Sequence, residues 1–433
     1  MNSKQLENLY ELYCENPNII TDSRKIVDKS LFFALKGENF DGNRFVQFAL
    51  ESGASYVVMD NATLIPDGYE QKCFLVTDTL KTLQTLAAFH RSKLSIPLIG
   101  ITGTNGKTTT KELLFSVLSR KFNVQATQGN LNNHIGVPLT LLSINREHEI
   151  AIVEMGANHF GEIKFLCEIA KPTHGIITNI GLAHIEGFGS FEGVIKTKFE
   201  LFDFLAQTNG YAFVNNDDEN IVKHIFAIAN KTTYGIGNQA DVNATVDENK
   251  AEASILYDDM CINSHLTGAF NAINILASLT IGKHFGIENH EIKTAIEEYQ
   301  PANHRSQIKK TERNTLILDC YNANPSSVNA ALKAFVNMKS TNKRVFLGAM
   351  KELGKDSKQE HKNIVDFLLS HNFLQVILVG NEYKEFCSAS TKLLWFDTSS
   401  EACNYLLANP VSNSTILIKG SRATKMELLE DVL

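Results

Sequence analysis

The sequence has no long apolar run, no closely paired cysteines and no excess of positive charge, and each absence argues against a class of protein. No stretch of about 18 or more apolar residues occurs, which argues against a membrane-spanning helix. The chain starts MNSKQLE, with polar and acidic residues where a signal peptide is apolar. We therefore expect a cytoplasmic protein without membrane insertion.

The seven cysteines are scattered and never form a C-x-x-C pair, so neither a disulfide framework nor a zinc site is indicated. The formal net charge of -7 argues against a general nucleic-acid surface. An anionic ligand would have to be held by local lysines and arginines.

Length and element pattern predict an α/β protein with several domains. The 433 residues exceed the length that usually forms a single hydrophobic core, and strand and helix patterns alternate through most of the chain. Strands are predicted at 31–35, 55–59, 73–76, 149–154, 174–179, 211–215, 315–320, 344–347, 375–379 and 415–418, with helices between them, including one at 45–51. We predict a small N-terminal α/β domain, a central mononucleotide-binding domain with a parallel sheet, and a C-terminal Rossmann-like α/β domain. Their predicted bounds are 1–94, 95–300 and 301–433, with a linker at 299–304 where Pro301 and Asn303 break a helical pattern.

The most informative segment is GITGTNGKT, residues 100–108, which lies between an apolar run and a helical pattern. A strand that feeds a glycine-rich turn at the start of a helix is typical of a phosphate-binding loop. In such a loop Lys107 binds phosphates and the Thr108 hydroxyl can hold magnesium. The alternative is a glycine turn without a ligand.

Two side chains follow buried strands at the same predicted edge of the central sheet. Glu154 ends the run at 150–153, and His184 follows the run at 176–183. Strand-end oxygens and imidazoles near a phosphate loop are candidate magnesium ligands or their neighbours. A solvated acid and a structural histidine remain the alternatives.

A helix pattern after Phe191 carries Lys196, Lys198 and Glu200. Such charges usually form a solvated helix face. A buried lysine with a lowered pKa could instead react with carbon dioxide and become an anionic carbamate. Spacing alone does not distinguish these alternatives.

A polar turn follows the strand predicted at 315–320 in the last domain. Asp319 leads into CYNANPSS, a sequence suited to contacts with a nucleotide sugar or a small polar substrate. The alternative is an Asn-Pro turn with Ser326 as the helix cap. The segment KGSR at 419–422 repeats the pattern with cationic side chains.

Many ordered segments together resemble the Mur ligases, ATP-dependent enzymes that extend the peptide on a UDP-linked muramic acid in bacterial cell-wall synthesis. The resemblance runs nearly end to end. The matching segments are TDSRK at 21–25, LFFALKG at 31–37, FDGNRF at 40–45, GTNGKTT at 103–109, GNLNN at 129–133, IGVP at 135–138, EMG at 154–156, TNIG at 178–181, His184, GAFN at 268–271, His304-Arg305 and the turn at 319–326.

Within the family, DCYNANP at 319–325 and MKELG at 350–354 resemble the members that add D-alanyl-D-alanine last. The members that add the third residue typically carry a histidine-containing turn there and a separate Asp-Asn-Pro-Arg motif, which this sequence lacks. The resemblance implies a ligase that uses ATP and Mg²⁺ and makes an acyl phosphate. Its implied partners are a UDP-N-acetylmuramoyl-tripeptide and D-alanyl-D-alanine, and we expect a monomer.

The resemblance also implies roles for individual residues. The catalytic set is Lys107, Glu154, His184 and Lys198. The magnesium ligands are Thr108, Glu154, His184 and the carbamate of Lys198. The ATP contacts are Gly103, Thr104, Asn105, Gly106, Lys107, Thr108, Thr109, Asn271, Arg305 and Asp319. The contacts with the other substrates are Ser23, Arg24, Asn39, Asn133, Asn322 and Asn324.

Two alternatives stay open at this point. One is another amino-acid ligase of the same superfamily, such as the tripeptide synthase or a folylpolyglutamate synthase. The latter usually reads Gly-Lys-Gly-Ser where this chain has Gly106-Lys107-Thr108-Thr109. The other is a non-catalytic, nucleotide-dependent binding module. No short motif indicates whether the third peptide residue is diaminopimelate or lysine.

Overall fold

A computed structural model describes residues 2–182, 185–225, 228–247, 250, 252–302, 304–389 and 391–433. It contains three large sheets, each with mainly parallel strands and each within one predicted domain. The predicted α/β class is therefore confirmed. The boundaries at 94/95 and 300/301 fall between the sheets and stay predictions. Among the described residues, no helix has the length and apolarity needed to cross a membrane.

The first unit has a four-stranded parallel sheet. Its elements are α1 (Ser3–Glu15), β1 (Asn18–Ile20), β2 (Ser30–Phe33), β3 (Lys36–Gly37), β4 (Phe40–Asp41), α2 (Val46–Glu51), β5 (Tyr56–Met59), β6 (Cys73–Leu75) and α3 (Thr79–Ser92). The sheet order is β1-β2-β5-β6, and β3 and β4 form a separate hairpin. The sequence patterns predicted β2, α2, β5 and β6 but neither α1 nor α3.

The central unit begins with alternating strands and helices. They are β7 (Leu98–Thr102), α4 (Lys107–Leu118), β8 (Val124–Ala126), α5 (Gly136–Leu142), β9 (Ile150–Glu154), α6 (Glu162–Ala170), β10 (His174–Ile177), α7 (Ile185–Phe188), α8 (Phe191–Gln207), β11 (Tyr211–Asn215), α9 (Glu219–Val222), β12 (Asn230–Gly235) and β13 (Val242–Asn243). A small antiparallel sheet and two helices follow, namely β14 (Thr245–Val246), β15 (Glu252–Tyr257), β16 (Met260–Thr267), α10 (Ala272–His284) and α11 (Asn289–Glu298).

The topology of the central sheet places the glycine turn at a crevice. Its seven parallel strands follow the order β13-β12-β11-β10-β7-β9-β8. The chain runs from β7 to one side through β8 and β9, and then to the other side through β10. Ligands of open α/β sheets bind beyond the strand ends at such a reversal. The turn after β7 lies there.

The third unit has a six-stranded sheet with one antiparallel edge strand. Its elements are β17 (Gln307–Lys310), β18 (Asn314–Asp319), α12 (Pro325–Asn337), β19 (Lys343–Gly348), α13 (Ser357–Ser370), β20 (Gln375–Val379), β21 (Leu393–Phe396), α14 (Ser399–Ala408) and β22 (Ser414–Lys419). The order is β17-β18-β22-β19-β20-β21, and β17 is antiparallel to β18.

The first and central units share one hydrophobic core. Leu9, Leu83, Leu141 and Leu166 belong to the same cluster, although they come from four different helices. The buried Arg91 on α3 crosses the same interface, since its Nε donates to the carbonyl of Ala170 at 2.9 Å. By contrast, the two hydrophobic clusters of the third unit contain only its own residues.

Candidate functional site

The glycine turn after β7 has a backbone that only glycine fits. Gly103 has φ +141° and Gly106 has φ +79°. A Cβ at Gly103 would lie 2.0 Å from Thr178 Oγ1, and one at Gly106 would lie 2.7 Å from Asn274 Oδ1. Helix α4 starts directly after Gly106, so its free amide groups face the turn. This is the arrangement of an anion-binding helix N-terminus.

Lys107 curls back over this turn. Its Nζ donates to the carbonyls of Gly103 at 2.7 Å and Thr104 at 3.0 Å. Burial lowers the pKa of Lys107, and Arg305 lowers it further, whereas Glu154 raises it. The turn therefore holds the Lys107 amine at the place where a phosphate chain would bind.

Glu154 and Thr108 form an oxygen pair beside the turn. Thr108 Oγ1 donates to Glu154 Oε2 at 2.9 Å, and Asn132 Nδ2 donates to Glu154 Oε1 at 2.8 Å. Glu154 is 2% exposed, and its backbone N–H donates to Thr127 Oγ1. Both oxygens of Glu154 are therefore fixed by named donors.

This pair fits a magnesium ion. Hydroxyl and carboxylate oxygens are hard ligands, and Mg²⁺ is commonly held by one or two such groups together with phosphates and water. The described residues contain no cluster of three or more His, Cys, Asp or Glu side chains that could hold a metal. A magnesium ion here would therefore depend on ligand oxygens from a nucleotide. His184, the other predicted ligand, lies outside the described residues.

The structure separates the two lysines on α8. Lys196 is exposed and faces Glu192 across one helical turn, as expected of a solvated face. Lys198 is buried and lines the cleft beside Phe188, whose ring centroid lies 5.3 Å from Nζ. Burial lowers the pKa of Lys198 to about 7, and the nearby Lys107 contributes to the shift.

Glu200 neutralises Lys198 only in part. Its carboxylate accepts the backbone N–H groups of Gly161 at 2.7 Å and Lys164 at 2.8 Å at the start of α6. No carboxylate of the described residues lies within ion-pair distance of Lys198 Nζ. The amine is thus buried and has a substantial neutral fraction near pH 7, as carbamate formation requires.

The third unit contributes the opposite wall of the cleft. The guanidinium of Arg305 lies 3.7 Å from the ring centroid of Tyr321. Asp319 at the end of β18 forms an ion pair with Lys419 at the end of β22, with Nζ and Oδ2 2.5 Å apart. Lys419 Nζ also donates to the carbonyl of Asn322 at 3.0 Å.

A buried chain of polar side chains joins helix α4, which starts at the glycine turn, to the start of the third unit. Thr110 Oγ1 donates to Asn274 Oδ1 at 3.3 Å, and Asn274 Nδ2 donates to Asn271 Oδ1 at 2.9 Å. Asn271 Nδ2 donates to the carbonyl of Thr267 and to Ser306 Oγ. Ser306 is the residue after Arg305, so the chain links both walls of the cleft.

The cleft between the central and third units has a volume of about 540 Å³. It brings together most of the residues predicted as site residues, namely Gly103, Thr104, Asn105, Gly106, Lys107, Thr108, Thr109, Asn133, Glu154, Lys198, Asn271, Arg305, Asp319, Asn322 and Asn324. Three predicted residues of the first unit, Ser23, Arg24 and Asn39, do not line it. Arg24 is exposed and pairs with Asp22 at 2.8 Å.

The alternative role considered for Ser326 as a helix cap is wrong. Asn324 is the N-cap of α12, because its Oδ1 accepts the backbone N–H of Ser327, whose hydroxyl lies within reach of the Asn324 N–H. Ser326 points to the glycine turn instead. Pro325 fits the first helical position because it has no N–H to satisfy there.

Sequence patterns missed several residues that line the cleft: Asn132, Asn274, Tyr321 and Ser326. Lys419 was noted only as part of a cationic turn. Its pairing with Asp319 follows from the adjacency of β18 and β22, which are 100 residues apart in sequence. Only a correct strand order could have predicted it.

A second cavity, of about 360 Å³, adjoins the cleft within the third unit. It shares Asn322 and Asn324 with the cleft. Its other lining residues lie in the turns after β19 and β22: Lys351, Glu352, Leu353, Ser421, Arg422 and Ala423, together with Ala323.

Comparison with known families matches three successive parts of the chain. Residues 17–91 match the family described as "Mur ligase family, catalytic domain". Residues 101–282 match "Mur ligase middle domain", and residues 304–422 match "Mur ligase, glutamate ligase domain".

Similar proteins cover nearly the whole chain. The UDP-N-acetylmuramoyl-tripeptide–D-alanyl-D-alanine ligase of Treponema pallidum is 33% identical over 95% of this chain and 92% of that protein. A crystal structure of MurF from Acinetobacter baumannii has a TM-score of 0.86 and 30% identity, and the match covers 99% of this chain and 98% of that chain. MurF from Thermotoga maritima in complex with ADP has a TM-score of 0.82 and 27% identity, covering 100% and 98%.

Proposed function

The chain belongs to the Mur ligase family, and from this premise we propose that it joins D-alanyl-D-alanine to a UDP-N-acetylmuramoyl-tripeptide with consumption of ATP. The observation that carries the proposal is the cleft, in which the phosphate loop and Glu154 face Arg305 and Asp319 of the third unit. The end-to-end similarity to ligases named for this reaction supports the choice of substrates.

The reaction proceeds in two transfers. The terminal carboxylate of the tripeptide attacks the γ-phosphorus of ATP, which gives an acyl phosphate and ADP. The dipeptide amine then attacks the acyl carbon, and phosphate leaves with one oxygen of the original carboxylate. Because carboxylate and triphosphate repel each other, positioning and charge neutralisation are what the protein must supply.

The phosphate loop and Lys107 supply part of this neutralisation. The amides at the start of α4 bind phosphate oxygens, and Lys107 exchanges the carbonyls of Gly103 and Thr104 for the phosphate chain. Thr108 and Glu154 would hold Mg²⁺, which neutralises charge on the phosphates during transfer. Arg305 and Asp319 contact the nucleotide from the third unit.

We assign Lys198 to a second magnesium site as its carbamate. Its neutral fraction near pH 7 and its burial beside the loop favour this modification. The modification turns an amine whose protonated form repels the nearby Lys107 into an anion, which favours the protonated form of Lys107. The predicted role of His184 as a magnesium ligand also stays a proposal.

The second cavity accommodates the dipeptide in this scheme. It opens toward the cleft at Asn322 and Asn324 and offers Arg422 as a cation for the dipeptide carboxylate. We place the UDP-sugar on the first unit near Ser23, Arg24 and Asn39, with Asn133 at the cleft edge. We also propose a monomer that acts in the cytoplasm and binds no nucleic acid.

The proposal is tested by measuring phosphate release with purified protein, ATP and Mg²⁺. UDP-N-acetylmuramoyl-tripeptide and D-alanyl-D-alanine together should give phosphate in proportion to ligated product, and omission of either should stop it. Lys107→Ala should lose at least about 100-fold in rate, because the main phosphate cation is removed. Comparing tripeptides with diaminopimelate or lysine then identifies the accepted third residue.

The same assay separates the alternatives. Phosphate release with a UDP-dipeptide and a single amino acid, but not with D-alanyl-D-alanine, would indicate a tripeptide synthase. Nucleotide binding without phosphate release under any combination would indicate a binding module. Either result would overturn the proposal.

A further inference from the structure

The third unit contacts the phosphate loop directly through the N-terminus of α12. Asn324 Nδ2 donates to Asn105 Oδ1 at 2.8 Å, and Asn105 Nδ2 donates to Ser326 Oγ at 2.8 Å. Ser326 Oγ in turn donates to Asn324 Oδ1 at 2.8 Å. The three side chains therefore close a ring of hydrogen bonds that joins two units. We call this ring the docking contact.

The backbone around Asn105 aims its side chain at α12. Its N–H donates to Asn179 Oδ1 at 2.9 Å, and its carbonyl accepts Thr178 Oγ1 at 2.6 Å. The backbone of Asn105 is therefore held in place without the docking contact. On the other side, capping fixes Asn324, since its Oδ1 also accepts the Ser327 N–H. The Asn105 backbone and the Asn324 side chain are thus each held by bonds within their own unit.

The apolar contact between the third and central units is small. The hydrophobic clusters of the third unit include no residue of the central unit. Other links between the two units are the amide chain from Asn271 to Ser306 and the N–H and Oγ1 of Thr267, which both donate to the Ser306 carbonyl. Phe270 also lies beside Ala331 and Ala334 of α12 in a small cavity between the units. The docking contact is therefore one of several contacts that hold the third unit against the central unit, and it reaches the phosphate loop directly.

The loop surface under α12 leaves no spare space. A Cβ on Gly181 would lie 3.1 Å from Ser326 Oγ. Gly181 is itself bonded to the loop, because its N–H donates to Thr104 Oγ1 at 2.9 Å. Loop, Gly181 and Ser326 thus meet as one packed surface.

We propose that Asn105, Asn324 and Ser326 are positioning residues whose docking contact holds the third unit closed on the phosphate loop. In this state Arg305 and Asp319 reach the cleft. The inference deepens the proposed function, and its catalytic consequences rest on that function. It also gives Asn105 and Asn324 a different role from direct contacts with ATP and substrate, since their amides bind each other.

The test compares Asn105→Ala, Ser326→Ala and the double variant. Ser326→Ala leaves the Asn324 cap in place, so α12 should fold normally. Each single variant should lower kcat/KM for ATP about 5-fold, the loss expected for about one hydrogen bond, with the melting temperature unchanged. The double variant should lose little more than one single variant, because both remove the same contact. Asn329→Ala, on the same helix but outside the contact, is the control and should match wild type.

Small-angle X-ray scattering of the protein without ligand tests docking independently of catalysis. Wild type and Asn329→Ala should match the closed arrangement, and Asn105→Ala and Ser326→Ala should show a larger radius of gyration. Unchanged scattering in both variants would overturn the proposal. Losses in kcat/KM that multiply in the double variant would also overturn it. So would a higher KM for ATP in Asn105→Ala with no change in Ser326→Ala. If wild type fails to ligate while the scattering differs as expected, the proposed function fails and the docking contact stands.

Discussion

Lys198 shows at the residue scale how position changes the chemistry of a side chain. Lys196 lies two positions earlier on the same helix and faces solvent, whereas Lys198 faces the cleft. The helical repeat of 3.6 residues places residues two apart on different faces. Burial beside Lys107 then lowers the pKa of Lys198 to about 7.

The carbamate assignment predicts chemical rescue. Lys198→Ala should lose at least about 100-fold in ligation rate, because the anionic ligand is missing, and added acetate or another short carboxylic acid should restore part of it. Lys196→Ala is the matched control and should keep wild-type activity. Ligation rates with and without acid check this, and a fully active Lys198→Ala would refute the assignment.

The roles of Thr108 and Glu154 were expected from sequence because Glu154 ends a strand and Thr108 lies in the glycine-rich loop and helix start that follow another, so neither needs distant information. Asn132 and Lys419 could not be predicted in this way. Their partners, Glu154 and Asp319, are fixed by side-chain direction and strand order, which a local pattern does not encode.

At the scale of elements, strands buried on both faces were predicted well. The strand predicted at 375–379 is β20, and the one predicted at 211–215 is β11, because continuous apolar runs are typical of parallel sheets. Helix α1 was missed, although Leu6, Leu9, Tyr10 and Tyr13 recur at helical spacing. Edge strands such as β1 and β8 were missed because three residues carry almost no periodicity.

The turn that forms the phosphate loop should not tolerate a methyl group at Gly103. Gly103→Ala adds a clash with Thr178 to an unfavourable backbone, and we expect a loss of about 2 kcal/mol or more in stability together with loss of ATP binding. Gly53→Ala, with φ +102° but no neighbour within 4 Å, is the control and should cost only about 1 kcal/mol. Thermal unfolding and nucleotide titration check both. Equal melting temperatures for the two variants would contradict the steric argument.

The start of β10 carries a pH-sensitive element. His174 lies among the rings of Tyr211, Phe213, His284 and Phe285, and burial, with a smaller contribution from His284, lowers its pKa from 6.5 to about 4. Between these values the unfolded chain binds a proton that the folded chain does not. Stability should therefore fall as the pH drops from about 6.5 to about 4.

Replacing this histidine should remove part of that pH dependence. His174→Phe keeps an aromatic ring in the cluster but has no group that titrates in this range. Its free energy of unfolding should therefore fall by about 1–2 kcal/mol less than that of wild type over the same range. Denaturant unfolding at pH 7.5 and pH 5 gives the change in the free energy of unfolding for wild type and for the variant. Parallel pH profiles for both proteins would show that His174 does not contribute.

At the scale of the whole molecule, the three units are joined in two different ways. The first and central units share an apolar core and the buried Arg91, so we expect them to move as one body. The third unit keeps its own cores and meets the central unit mainly through polar groups, with Phe270 beside Ala331 and Ala334 of α12 as an apolar contact. Mainly polar interfaces of this kind permit relative motion of domains. The sequence predicted three units, but it could not predict this difference, because it depends on which side chains meet across each boundary.

A complete reaction requires all three units and passes through an acyl phosphate. Transfer of oxygen from the tripeptide carboxylate to the released phosphate tests this reaction most directly. The protein is mixed with ATP, Mg²⁺, D-alanyl-D-alanine and a UDP-N-acetylmuramoyl-tripeptide whose terminal carboxylate carries ¹⁸O, and the released phosphate is analysed by mass spectrometry. Ligation through an acyl phosphate should give dipeptide-dependent phosphate that contains one ¹⁸O atom from the carboxylate. Phosphate without the label, or phosphate released equally without the dipeptide, would contradict ligation through an acyl phosphate.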